Sequence, residues 1–252
     1  METQFEYRPE PGGGVLATAD AAAAIRPDWW HGSGDARGDA TATQDAAPTG
    51  GRGSVRVFDA SIGTLLRREY LRGGMVRHLS RDRYLWTGAE RTRGFRELRL
   101  LGRLRDRGLD VPAPVAARYT RHGLMYAASL LMRRIADTRT LAEVLRQDGE
   151  HPRVLAACMD AIARLHANGV WHADLNATNV LVDAGGRVWL IDFDRAQAGV
   201  TDAARLRGNL DRLLRSLRKL LPGQVLAGIE QAWPSLCRHY DARLASHQTI
   251  TP

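Results

Sequence analysis

The chain has 252 residues, of which 44% are apolar, and a formal net charge of +8. This composition is ordinary for a packed globular protein, and the length suits one large domain or two lobes. Two cysteines give no disulfide framework, and the N-terminal segment is acidic where a secretory signal would be basic. We therefore expect a cytoplasmic protein without a transmembrane anchor.

The excess of positive charge is concentrated in one segment. Between Arg67 and Arg107, thirteen arginines stand against five acidic residues. Such a segment attracts polyanions, which include nucleic acid, anionic lipid head groups and a phosphorylated, carboxylated substrate. A solvated basic face without a specific ligand is the alternative.

The first part of the chain is predicted as an extension followed by a sheet-based lobe. Residues 1–50 form the N-terminal extension, in which the segment with Ile25, Trp29 and Trp30 docks onto the body and residues 31–50 form a flexible loop. The N-lobe covers residues 51–135. Its predicted elements are an antiparallel five-stranded sheet, with strands in 54–70, 115–119 and 124–132, and one helix at 92–107.

The remaining residues, 136–252, are predicted as a mainly helical C-lobe. Helices are expected at 141–145, 154–168 and 201–221, where leucines recur at helical spacing. Apolar runs around the D-A-G-G turn at 183–186 predict a β-hairpin between the second and third of these helices. The predicted fold class is therefore α+β, with the two-lobe architecture of protein kinases.

The hairpin carries the polar groups that phosphoryl transfer from ATP requires. Asp174 is the candidate catalytic base, and Asn179 and Asp192 are candidate ligands for Mg²⁺. Their order, H-x-D-L-x-x-x-N followed by a hydrophobic residue and D-F, is rare by chance, although an ordinary hairpin with solvated acids remains the alternative. ATP and Mg²⁺ are the predicted cofactors.

Three neighbouring side chains have less specific interpretations. His172 is expected to have a hydrogen-bonded packing role, and His166 is expected to be packed or to cap a helix. Asp194 stands where a glycine usually follows Asp-Phe, so it is either a second metal ligand or a loop acid.

The predicted nucleotide-binding residues lie mostly in the N-lobe. Arg67 and Arg68 fall on opposite faces of a strand, and we favour Arg68 for the nucleotide phosphates because the only lysine, Lys219, lies far downstream. Glu97 is its natural partner, although a surface glutamate among arginines fits the same spacing. Glycines before the first strand suit phosphate contact but also suit a plain turn. The predicted set is Gly51, Gly53, Ser54, Arg68, Glu97 and Met132.

Two sequence features of protein kinases are absent, which restricts the class of molecule that accepts the phosphate. Ala173 precedes Asp174 where a protein kinase has the arginine that pairs with a phosphorylated activation loop, and no A-P-E sequence follows Asp192. The short remaining chain leaves no room for the subdomain that cradles a peptide. A small-molecule or glycan acceptor is therefore favoured over a protein.

Four motifs occur in order between about Gly51 and Leu217. They are L-R-R-E-Y-L-R-G-G-M-V-R-H-L-S-R-D-R-Y-L-W, T-R-G-F-R-E-L-R-L-L, V-P-A-P-V-A-A-R and H-A-D-L-N-A-T-N-V-L-V. Together they resemble bacterial 3-deoxy-D-manno-octulosonic acid (Kdo) kinases, which are related to the lipopolysaccharide heptose kinases and share the protein-kinase-like fold. The resemblance implies ATP-dependent phosphorylation of the 4-hydroxyl of Kdo on a Kdo-lipid A precursor, during inner-core lipopolysaccharide synthesis.

The resemblance also gives the basic segment a purpose. It implies a peripheral enzyme at the cytoplasmic face of the bacterial inner membrane, with an anionic membrane surface as a partner. The arginines expected to contact the glycolipid acceptor are Arg72, Arg77, Arg81 and Arg83.

Other functions fit the same residues less well. A heptose kinase or another small-molecule phosphotransferase is the enzymatic alternative, although aminoglycoside-like acceptors are cationic and do not suit this charge. An arginine-rich nucleic-acid-binding protein on a kinase-like scaffold is the non-enzymatic alternative, but few aromatics alternate with the arginines. We expect neither a nucleic acid nor a protein partner.

Overall fold

The computed structural model describes residues 2–30, 55–70, 84–147 and 151–248. They belong to two compact units, one formed by Met1–Asp106 with Pro112–Arg134 and the other by Arg107–Val111 with Ile135–Pro252. Helices and antiparallel sheet occur in both parts of the chain, which confirms the α+β class. No helix within the four described ranges is both long and apolar enough to cross a bilayer.

The first unit contains one antiparallel sheet and helix α1, Arg93–Asp106. The strands are β1 Phe5–Glu10, β2 Gly13–Thr18, β3 Val55–Ala60, β4 Gly63–Glu69, β5 Tyr84–Leu85, β6 Pro114–His122 and β7 Met125–Arg133. Along the sheet the strand order is β1-β2-β6-β7-β4-β3, and β5 pairs with β7.

The predicted count of five strands was wrong, because the described residues alone form seven strands of this sheet. The N-terminal hairpin β1–β2 extends it beside β6, where Leu16 pairs with Ala117. The sequence F-E-Y-R-P-E of β1 alternates between apolar and polar residues, as a half-buried strand does, and this signal was missed. The sequence G-G-V-L-A-T of β2 does not alternate, and the strand is buried at five consecutive positions.

The two faces of the sheet pack against different segments. On one face, Trp29 and Trp30 bury their rings in a cluster with Phe58, Leu65 and Leu131, so the predicted docking of this segment is confirmed. On the other face, the Phe95 ring of α1 makes an edge contact with Tyr119 of β6, with 5.4 Å between ring centroids. The sheet that contains β4, the strand with Arg67 and Arg68, is thus covered on both faces.

The second unit contains the three-stranded sheet and most of the helices. Helix α2, Leu141–Leu145, begins with a capping box. The Thr140 hydroxyl oxygen accepts from the Glu143 backbone N–H at 3.2 Å, and the Glu143 carboxylate accepts from the Thr140 backbone N–H at 2.7 Å. These bonds lower the pKa of Glu143. The elements are β8 Thr138–Thr140, α2 Leu141–Leu145, α3 His151–Ala167, β9 Val180–Asp183, β10 Val188–Leu190, α4 Ala203–Leu220 and α5 Gly223–Gln248.

Candidate active site

The predicted β9–β10 hairpin is present, and its turn is organised by one carboxylate. Asp183 Oδ1 accepts from the backbone N–H groups of Gly185 and Arg187, both at 3.0 Å, while Oδ2 accepts from Trp189 Nε1 at 3.1 Å. The bond from Trp189 is the main reason that the pKa of Asp183 lies below its usual range. Gly186 adopts a φ of +80°, which favours glycine at this turn. The hairpin is thus closed by local interactions.

Hydrogen bonds connect the chain segments that carry the three candidate residues Asp174, Asn179 and Asp192. The Ile191 N–H donates to the Asn179 carbonyl at 3.0 Å, so Asn179 lies opposite the residue that precedes Asp192. Asn179 Nδ2 donates to the Asp174 carbonyl at 2.9 Å, which leaves the Asn179 Oδ1 atom for a metal ligand. Asp192 has a φ of 66°, an uncommon conformation for a residue with a side chain.

Asn176 shapes the loop between Asp174 and Asn179. Its Oδ1 atom accepts from the Thr178 and Asn179 backbone N–H groups, at 2.9 and 3.1 Å, and from the Thr178 hydroxyl at 2.6 Å. Its amide nitrogen donates to the Asp174 carbonyl at 3.2 Å. Both ends of this side chain therefore hold the loop.

His172 connects the loop to the segment that contains Asp192. The buried ring donates from Nε2 to the Ile191 carbonyl at 2.9 Å and accepts at Nδ1 from the Asp174 N–H at 3.2 Å. This pattern requires the neutral ring, and burial lowers the pKa of His172. The predicted hydrogen-bonded packing role is confirmed.

His166 is also packed, as expected. Its Nε2 donates to Asn209 Oδ1 at 3.1 Å, and its Nδ1 accepts from the Tyr240 hydroxyl at 2.7 Å. Burial lowers its pKa to about 4. The histidine therefore links α3 to helices α4 and α5 in its neutral form.

Helix α4 presents polar side chains to the loop, and sequence reasoning missed them. Asn209 accepts from the His172 N–H at 3.1 Å and donates to the His172 carbonyl at 2.6 Å. Ser216 Oγ accepts from the Ala177 N–H at 3.0 Å. Arg212 Nη1 lies 3.8 Å from Asp174 Oδ1. Asn209, Arg212 and Ser216 lie on one face of the helix. The sequence signal that could have identified them is the presence of polar residues among the leucines of α4.

The residues present suit a magnesium ion, since Asn179 and Asp192 offer an amide oxygen and a carboxylate next to Asp174. These two side chains would hold Mg²⁺, which neutralises charge on nucleotide phosphates when bound. Asp194 is partly exposed and follows the buried Phe193. That it is either a second metal ligand or a loop acid stays a prediction.

In the first unit, the structure brings Arg68 and Glu97 together in an ion pair. The Glu97 side chain is 1% exposed, and its Oε2 atom also accepts from the Tyr70 hydroxyl at 2.8 Å. Arg67 lies on the opposite face, where it pairs with Glu69 at 3.0 Å and burial lowers its pKa. Only Arg68 therefore faces α1.

The other predicted residues are placed as follows. Met132 is buried near the end of β7 and pairs with Leu66 of β4. The remaining ones lie outside the described residues, as does the predicted 31–50 loop: Gly51, Gly53, Ser54, Arg72, Arg77, Arg81 and Arg83.

Comparison with known proteins gives a consistent result. The model of the "Lipopolysaccharide kinase (Kdo/WaaP) family" matches residues 42–240. A 3-deoxy-D-manno-octulosonic acid kinase of Xanthomonas axonopodis pv. citri is 47% identical over 192 residues, which are 76% of this chain and 77% of that protein.

Proteins of the same name from two other bacteria cover the same shares of both chains. The protein from Stenotrophomonas maltophilia strain K279a is 44% identical over 200 residues, and the protein from Xylella fastidiosa strain M23 is 43% identical over 194 residues. The family model covers most of the sequence, and these relatives extend over three quarters of it. The chain belongs to the lipopolysaccharide kinase (Kdo/WaaP) family.

Proposed function

We propose that this protein is an ATP-dependent kinase that phosphorylates the 4-hydroxyl of Kdo on a Kdo-lipid A precursor in lipopolysaccharide inner-core biosynthesis. The observation that carries the proposal is the loop with Asp174, tied to Asn179 and next to Asp192, in a chain whose relatives are named as Kdo kinases. Phosphoryl transfer needs a carboxylate for the acceptor hydroxyl and oxygen ligands for Mg²⁺, and this loop provides both.

Within the second unit, Asp174 would act as the base. Its side chain is 60% exposed, so an acceptor hydroxyl has access to it. The proton of the hydroxyl passes to the Asp174 carboxylate while the hydroxyl oxygen bonds to the γ-phosphorus and the bond to ADP breaks. Asn179 and Asp192 would hold Mg²⁺ for this reaction.

Within the first unit, Arg68 would pair with the nucleotide phosphates as lysine does in protein kinases. The Arg68 guanidinium already has an anchoring partner in Glu97, and its Cζ atom lies 5.0 Å from the centroid of the Tyr70 ring. An arginine fixed at two sides loses little further freedom on binding phosphate. This arrangement supports a protein-kinase-like fold with its two lobes.

The enzyme would act at the cytoplasmic face of the inner membrane as a peripheral protein. Leu85 and Leu124, which are 60% and 76% exposed, both lie at one end of the first-unit sheet. The Trp86 N–H donates to the Leu124 carbonyl at 2.8 Å, and the Arg121 guanidinium lies 5.5 Å from the Trp86 ring centroid. Exposed leucines beside tryptophan and arginine suit the boundary of an anionic bilayer. We name Leu85, Trp86, Arg121 and Leu124 the sheet tip.

The acceptor tests the proposal. The purified protein is incubated with labelled ATP and Mg²⁺, and separately with Kdo-lipid A, heptosylated lipid A, an aminoglycoside or a generic protein. We expect label on Kdo-lipid A. Label on the heptosylated acceptor alone would instead assign the protein to the heptose kinases, and binding of RNA without any turnover would favour the nucleic-acid alternative.

A further inference from the structure

Arg212 stands out among the cations of α4 because its partner is the candidate base. Its Nη1 atom lies 3.8 Å from Asp174 Oδ1, and the two side chains are 41% and 60% exposed. At this separation the pair attracts electrostatically but does not form a hydrogen bond. The N–H groups of the guanidinium that face Asp174 therefore remain able to bind a ligand.

Three other arginines of the same helix, Arg205, Arg207 and Arg218, have structural partners at closer range. Arg205 donates to Gln197 Oε1 at 2.7 Å, and Arg218 donates to Glu230 at 2.7 Å. Arg207 forms an ion pair with Asp241 of α5. These contacts hold α4 to its neighbours, so Arg212 differs from them in being directed to the reacting centre.

The loop itself offers no cation for an acidic acceptor. The position two residues after Asp174 is Asn176, and both ends of its side chain are engaged within the loop. The Asn179 amide nitrogen is likewise bonded to the Asp174 carbonyl. Among the described residues, the cation recorded within 4 Å of the Asp174 carboxylate is Arg212 of α4.

We propose that Arg212 binds the carboxylate of the acceptor sugar while Asp174 takes the proton of its hydroxyl. This inference rests on the proposed function, because Kdo is an acid whose carboxyl carbon lies close along the chain to the carbon that bears the 4-hydroxyl. A hydroxyl within hydrogen-bond reach of Asp174 brings the carboxylate of the same ring towards a guanidinium only 3.8 Å from that base.

Two physical consequences follow from this arrangement. A planar guanidinium can grip a carboxylate with two parallel hydrogen bonds, which fixes the direction of the sugar as well as its position. The acceptor carboxylate would also pair with Arg212 in place of the Asp174 carboxylate, which leaves the Asp174 side chain to the acceptor hydroxyl. Arg212 would thus be an acceptor-binding residue that selects an acidic sugar.

The test compares two acceptors that differ only in the group at C1. One is the Kdo acceptor and the other is its C1 carboxamide, which has the same size and no negative charge. Because hydrogen bonds between charged groups contribute about 1.5–3 kcal/mol, we expect the unaltered protein to prefer the acid by about 10- to 100-fold in kcat/KM. A preference below about 2-fold would overturn the inference and leave the Kdo kinase function intact.

Variants then assign the preference to one residue. Arg212→Gln should lose about 10- to 100-fold on the acid, mainly through KM, and should turn over the carboxamide as the unaltered protein does. Arg212→Lys keeps the charge and should recover part of the preference. Arg238→Gln removes an exposed arginine of α5 and should retain the full preference.

Other outcomes would contradict the inference. Equal losses on both acceptors in Arg212→Gln would mean that Arg212 acts on Asp174 or on the nucleotide. An unaltered preference in that variant would mean that another group reads the carboxylate. An unaltered protein that transfers phosphate to neither Kdo acceptor would instead remove the proposed function, so the two failures are distinct.

Discussion

Asn209 joins two buried histidines of the second unit. It hydrogen-bonds to both backbone groups of His172 and accepts from the ring of His166. These groups are buried, so removal of the Asn209 amide leaves several polar atoms without partners in an apolar environment. Each such atom costs about 1–3 kcal/mol.

We therefore expect Asn209→Ala to lower the free energy of unfolding by about 3 kcal/mol or more, measured by urea denaturation. Ser216→Ala is the matched control, because it removes a single acceptor from the same helix face and should cost about 1 kcal/mol. Equal effects of the two variants would contradict the special role given to Asn209.

The neutral state of His166 predicts how stability depends on pH. Burial lowers its folded-state pKa to about 4, below the value of 6.5 for an unperturbed histidine. Between these values the unfolded chain binds more protons than the folded one, so stability is full above about pH 6.5 and falls as the pH drops towards 4.

This pKa shift of His166 alone corresponds to a loss of about 3 kcal/mol in the free energy of unfolding between about pH 6.5 and about pH 4. Urea denaturation at pH 7, 6, 5 and 4.5 measures it. In His166→Gln, which removes the titrating group, the dependence on pH should become shallower. An equal slope in both proteins would show that His166 does not titrate in this way.

The Arg68–Glu97 pair predicts an asymmetric response to mutation. Arg68→Met leaves the buried Glu97 carboxylate without its cation, and breaking a buried pair at one side costs about 3–5 kcal/mol. Arg68→Met with Glu97→Leu removes both charges and should restore much of the stability. Thermal unfolding checks the stability, whereas both proteins should bind ATP poorly if Arg68 contacts phosphate.

For single residues, the sequence predicts contacts between partners that lie close together along the chain or that follow the periodicity of a strand or helix. The alternation along β4 separates Arg67 from Arg68, and the short spacing in the hairpin relates Asp174, Asn179 and Asp192. Asn209 and Arg212 are different, because their contacts join α4 to a loop more than thirty residues earlier. Helical periodicity shows that they share a face and leaves the neighbour of that face undetermined.

At the scale of elements, the sheet tip is formed by β5 and the turn between β6 and β7. Gly123 adopts a φ of +61° there, which allows the tight turn that carries Leu124. Leu85 pairs with Met125, the residue that follows Leu124, so both exposed leucines lie at this end of the sheet. The tip thus exposes apolar side chains close to Trp86 and Arg121.

Replacing both leucines should weaken binding to anionic vesicles. Burial of one leucine side chain contributes about 1.5–3 kcal/mol when complete, so Leu85→Ser with Leu124→Ser should lower vesicle partitioning by at least about 10-fold. Co-sedimentation with vesicles measures the effect, and unchanged thermal unfolding is the control. Partitioning equal to that of the unaltered protein would remove the sheet tip from the membrane contact.

The hairpin β1–β2 shows where prediction of elements fails. Its strands lie in a segment predicted as an extension: β2 has small and apolar residues on both faces, whereas the alternation of F-E-Y-R-P-E in β1 was a local signal that was missed. Helix α1 and the β9–β10 hairpin were predicted well, since a helical period and a glycine-rich turn are local signals. Pairing of β2 with β6 depends on residues about a hundred positions apart.

At the scale of the whole molecule, the formal charge of +8 predicts that attachment to an anionic surface depends on salt. The electrostatic part is screened over about 10 Å at 0.1 M ionic strength and over about 3 Å at 1 M, whereas the apolar contact of the sheet tip is not. Raising the salt should weaken vesicle binding in both the unaltered and the double-serine protein. Binding that ignores salt would contradict the assignment of an anionic surface.

In the proposed reaction, Asp174 takes the proton of a Kdo hydroxyl during transfer from ATP. The direct measurement is the rate of phosphate transfer to Kdo-lipid A by Asp174→Asn, compared with Asp211→Asn, which changes an exposed acid of α4. A positioned base contributes about 100- to 10,000-fold to rate. We predict a loss of at least about 100-fold in kcat for Asp174→Asn and none for Asp211→Asn, with unfolding temperatures unchanged. Transfer by Asp174→Asn at the rate of the unaltered protein would contradict the account.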